Sequence, residues 1–171
     1  MTTSNQSSSP VSFPLWPAIL VGGLAAGILD AASAFLTFGW RMPYGIASGL
    51  LGAKANPAAG AGAGVWALGL ACHFLIAFAS AAIYCLASRR WGFLKSYFLL
   101  GGVICGIAVW LVMNLVVLPL SAVPFPVGPF NVQALRLGLG YHVLLVGLPI
   151  SISLWFFTRP AAVQAGTGGS E

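Results

Sequence analysis

Four long runs of this chain are apolar almost without interruption, and no other feature narrows the fold as much. They extend from about Trp16 to Phe38, Val65 to Ala87, Tyr97 to Leu120 and Leu135 to Thr158. Each reaches the ~20 apolar residues that an α-helix needs to cross the hydrocarbon core of a bilayer. The runs do not alternate with period two, which argues against the strands of a membrane barrel. Charge removes the soluble classes. Only 5% of the 171 residues are Asp, Glu, Lys or Arg, against about 25% in an ordinary soluble domain. Disorder fails for the opposite reason, because 59% of the residues are hydrophobic. The expected fold is all-α: an integral membrane four-helix bundle over residues 16–158.

The flanks differ in character. Residues 1–15 are rich in Ser, Thr, Asn and Gln near their start, and residues 159–171 are rich in Ala and Gly. Both are expected to be disordered. Ala32-Ser33-Ala34 follows an apolar stretch, as a signal-peptidase site does, but no Lys or Arg precedes it and Asp30 lies beside the cut. The expectation is an uncleaved first span.

Basic residues orient the bundle. Arg89, Arg90 and Lys95 crowd the turn between spans two and three, and Arg159 follows span four. Arg41, Lys54 and Arg136 fall on the other side. By the positive-inside rule the Arg89–Lys95 turn is cytoplasmic, and both termini with it. In the outward loops, Tyr44 to Ala53 reads as a short interfacial or re-entrant helix. Ser121 to Asn131 holds Pro124, Pro126 and Pro129 and reads as a stiff connector without helix.

Against this background, polar residues inside the spans stand out. Span one carries Asp30, span two His73, span three Asn114 and span four His142. At a rise of about 1.5 Å per residue, they lie about 12, 12, 9 and 10 Å below the outward ends of their helices. That arithmetic predicts one shared depth. Gly23, Gly27, Asp30, Ser33 and Thr37 recur at helical spacing on span one, as do Gly69, His73, Ala77, Ser80 and Tyr84 on span two. Gly138, His142 and Ser153 do so on span four. Small residues let membrane helices approach closely, so these stripes should point the polar groups inward.

One structural reading competes with several functional ones. As interhelical glue, the four residues would hydrogen-bond between helices to fix the packing. As a working site, Asp30 and a histidine would exchange a proton beside a small ligand. As a metal or haem centre, His73 and His142 would be the ligands, with Asp30 as a third ligand or a support. No His-x-x-His or Cys-x-x-Cys spacing accompanies that last reading. Ser33, His73 and Asp30 contain the residue types of a hydrolytic triad, but no nucleophile-elbow pattern surrounds Ser33. Catalysis is therefore not the expectation.

The remaining signals read as membrane anatomy. Cys72, Cys85 and Cys105 fall within spans, where thiols fill apolar space. Trp16, Trp40, Trp66, Trp91 and Trp155 fall near span ends, as an aromatic belt does. The net charge of +5 is spread over helix ends, which fits lipid head groups and not nucleic acid. The expected partners are the lipid bilayer and a proton or small ligand, with a homo-oligomer left open.

Ile46 to Gly52, His73-Phe74 with Ile76-Ala77-Phe78, and Ala87 to Arg90 form one set of local motifs. Met113-Asn114, Leu118 to Pro124 and Gly147 to Ile150 extend it. Together, from about Gly22 to Ile152, they resemble a group of small bacterial four-span inner-membrane proteins, distantly similar to the YagU-like proteins. Asp30, His73, Asn114 and His142 fall where that pattern has those residue types, while Gly45 and Val143 depart from a Gln and a Met. The resemblance implies a bacterial inner-membrane location and a four-span fold, and it transfers no catalytic role.

Overall fold

A computed structural model describes residues 14–126 and 131–159. The expected disordered flanks fall almost wholly outside the described residues, as do residues 127–130 of the proline-rich connector. The described chain is helical, with no strand. Its helices are α1 (Trp16–Phe38), α2 (Met42–Leu51), α3 (Ala63–Arg90), α4 (Phe93–Ser96), α5 (Phe98–Leu120) and α6 (Val132–Phe157). Four of them, α1, α3, α5 and α6, are long and apolar enough to cross a membrane.

The helix ends have local causes. Pro17 opens α1, where a missing N–H costs nothing. Gly39 closes it at φ 64°, ψ −161°, a conformation other residues rarely reach. Gly52 does the same after α2 at φ 60°. Asn131 caps α6, its side chain accepting the Ala134 N–H at 2.7 Å. In α5, residues Met113–Val117 widen into a π-turn just ahead of Pro119. In α6, His142–Gly147 do so just ahead of Pro149. A proline donates no N–H and crowds the carbonyl four residues earlier, and the wider turn accommodates both.

The long helices pack in the spatial order α3–α1–α6–α5. Helix α1 can sit between two neighbours because its buried positions are all small: Ala18, Gly22, Gly23, Ala26, Gly27 and Ala31. Phe74 and Phe78 of α3 lie over Gly27 and Gly23, and Ile150 and Ser153 of α6 lie over Gly22. Between α5 and α6, Gly102 and Gly106 bring the backbones together at Gly147 and Val143, leaving no room for a Cβ. Among the described residues the four buried serines all reach a carbonyl, three on their own helices. Ser153 instead bonds across to Ala18 at 3.0 Å.

The bundle therefore has two distinct ends. At one, α2 lies along α3, with the Pro43 backbone seated on Gly69, and the Ala122 N–H donates to the Gly49 carbonyl at 2.9 Å. This is the short helix expected over 44–53, beginning two residues earlier because Gly39 ends α1 and Pro43 can start a new helix. Trp40 stacks on Trp66 at this end with ring centroids 4.5 Å apart. Arg41, Lys54 and Arg136 belong to it. The other end carries α4, Arg89, Arg90 and Lys95, and Arg159 seated 3.1 Å over the Trp155 ring.

Candidate functional site

The register of the helices sets the depth of each polar residue. On α1, Gly23 faces Phe78 and Gly27 faces Phe74, so Asp30 comes level with about residue 71 of α3. On the other side Gly22 faces Ile150, so Asp30 comes level with about residue 142 of α6. Asp30, His73 and His142 thus share one level to within about 3 Å. Asn114 does not share it. Gly106 faces Val143, which puts His142 level with about residue 107 of α5. Asn114 lies seven residues further toward the α2 end, a displacement of about 10 Å. The expected common depth holds for three of the four residues. It fails for Asn114 because counting from predicted helix ends assumes that the helices end in one plane.

Hydrogen bonding divides the same residues differently. His73 reaches across to α1, its Nε2 lying 2.9 Å from the Gly27 carbonyl oxygen. A carbonyl only accepts, so Nε2 carries the proton, and in the neutral ring Nδ1 remains an acceptor. His142 is held the other way round, with Nδ1 at 2.8 Å from the Gly138 carbonyl of its own helix. Its Nε2 is the remaining acceptor. The Asn114 amide donates to the Trp110 carbonyl at 2.8 Å, one turn back on α5. Of these three, only His73 bonds between helices, so the four residues do not form the interhelical network that a purely cohesive role predicts.

Asp30 is half-buried, one turn along α1 from the carbonyl that holds His73. Its carboxylate makes no hydrogen bond or ion pair among the described residues, and only its backbone carbonyl is engaged, by the Ser33 hydroxyl at 2.9 Å. Every fully buried side-chain nitrogen and oxygen among the described residues has a partner. The Asp30 carboxylate is the acidic group left over from that satisfaction.

The other readings can be checked against the same geometry. Ser33 donates to the Asp30 backbone and His73 is committed to Gly27, so the Ser33–His73–Asp30 triad is not assembled. Among the described residues no three His, Cys, Asp or Glu side chains group closely enough to hold a metal ion. Helix α1 stands between the helices that carry His73 and His142.

The two π-turns were not legible from periodicity. They contain Asn114 and His142, and such turns recur at functional sites. Pro119 and Pro149 are the signals in the sequence that mark them. Comparison with family models, with curated proteins and with solved structures finds no match for this chain.

Proposed function

We propose that the protein is a multipass membrane protein that binds or passes a proton, or a small ligand carrying one, at Asp30 beside His73. One observation carries the reading: a mid-span carboxylate without a partner among the described residues, whose fully buried side-chain polar atoms are all satisfied. An isolated carboxylate in hydrocarbon is costly and takes up a proton or a partner. His73 stands at nearly the same level with its ring fixed by Gly27 and Nδ1 free to accept. His142 flanks α1 at that level from the other side, again with one ring nitrogen uncommitted. Asn114, about 10 Å nearer the α2 end, lies outside that exchange.

The location we propose is a bacterial inner membrane with both termini in the cytoplasm. The four basic residues at the α4 end, against three at the α2 end, support that orientation. The resemblance to small four-span inner-membrane proteins supports the location.

Asp30 and Glu171 are the only two acidic side chains in the chain, which makes the test unusually clean. Infrared difference spectra of the protein in liposomes, recorded across a pH titration, should show a carboxylic-acid carbonyl band. Asp30→Asn should remove the part of that band not supplied by Glu171 and its terminal carboxyl, and leave the thermal midpoint within about 2 °C of the parent. A band that survives Asp30→Asn unchanged would remove Asp30 from proton exchange.

A further inference from the structure

At the α4 end the Tyr84 side chain of α3 reaches toward α5, its hydroxyl donating to the Leu94 carbonyl at 3.2 Å and lying over Gly101. A groove of about 600 Å³ lies between α3 and α5. Buried Tyr84, Leu94 and Cys105 lie at its base, while Ile83, Trp91 and Ile104 are exposed along it. Its polar lining groups are turned away: Tyr84 bonds Leu94, and Ser80 donates to the Ile76 carbonyl at 2.8 Å. The groove thus presents hydrocarbon.

Two further features identify its occupant. Along α3 the lining runs from Ile76 to Ala87, about 16 Å, which matches the ~15 Å of one leaflet's hydrocarbon. At the α4 end the lining residues Ala87, Trp91, Phe93 and Leu94 are interleaved in sequence with Arg89, Arg90 and Lys95. We infer that this groove is a site for one anionic phospholipid, an acyl chain lying between α3 and α5 and the head group held by Arg89, Arg90 and Lys95. The inference does not depend on the Asp30 reading.

The test is native mass spectrometry of the full chain, released from micelles doped equally with phosphatidylglycerol and phosphatidylcholine. At about fivefold per basic residue near an anionic head group, phosphatidylglycerol should be retained at one per chain with a preference of tenfold or more. Replacing Arg89, Arg90 and Lys95 together by Gln should reduce the preference below about twofold while a lipid is still carried. Ala108→Trp, a change at an exposed position of the groove wall, should abolish retention of either lipid. Equal retention of the two lipids by the parent chain would overturn the proposal. So would normal phosphatidylglycerol retention by Ala108→Trp, since the lipid would then lie outside the groove. A dimer that Ala108→Trp disperses would show that a second copy, not a lipid, fills the groove.

Discussion

Gly106 on α5 and Gly140 on α6 look alike in the sequence and meet different surroundings. A Cβ on Gly106 would collide with the backbone of His142 and Val143, whereas one on Gly140 would meet nothing within 4 Å. Backbone cannot yield as a flexible side chain can, so Gly106→Ala should destabilise the bundle by about 1–3 kcal/mol. Gly140→Ala should be neutral or stabilising by up to about 1 kcal/mol, because Ala favours the helix. Reversible denaturant unfolding in micelles reads both, and equal effects would refute the close α5–α6 contact. The same residue scale explains why Asp30, His73 and His142 were visible at once while their bonding was not. A polar residue in an apolar run announces itself, but the carbonyl that receives it belongs to the backbone, which every residue has. Gly27 and Gly138 carried no mark as acceptors.

At the scale of elements, the spans were legible because hydropathy does not depend on helical phase. The faces were legible only where the helix stays regular. Gly138, His142 and Ser153 read as one stripe on span four, yet Gly138 lies against Trp110 of α5 and Ser153 bonds Ala18 of α1. The π-turn at His142–Gly147 separates them, adding in effect one residue to the α-helical phase. On α3 the stripe divides without a π-turn: His73 and Ala77 face α1, while Ser80 and Tyr84 line the groove toward α5. The extra residue in α6 makes an unusual prediction. Deleting one residue from a membrane helix rotates everything beyond it by about 100°. Deleting Leu144, exposed and inside the π-turn, should instead restore an α-turn and keep both flanks in phase. Deleting Ile152, also exposed but in regular helix, should swing Ser153 away from Ala18 and lower stability by at least about 2 kcal/mol more. Unfolding midpoints of the two deletions decide it, and equal damage would mean that the π-turn is not the phase correction described.

For the whole molecule, the order α3–α1–α6–α5 makes an open row, in which the chain-terminal span α6 meets α1 and α5 and the groove divides α5 from α3. In a background with Cys72, Cys85 and Cys105 replaced by Ala, cysteines at Ala18 and Ser153 should oxidise readily to a disulfide. Cysteines at Ile76 and Val112, on opposite walls of the groove, should not. Mobility shifts on non-reducing gels give the answer, and efficient linking of the second pair would close the groove. The row has a consequence in time. Ala18 and Ser153 are 135 residues apart in the chain, and α1 is made before α6. At about 5–20 residues per second, roughly seven to twenty-seven seconds separate the synthesis of Ala18 from that of its hydrogen-bond partner. Through that interval one glycine-lined face of α1 has no helix to meet, and whatever receives the nascent chain must shelter it. Helix α1 waits on a helix made long after it to be enclosed.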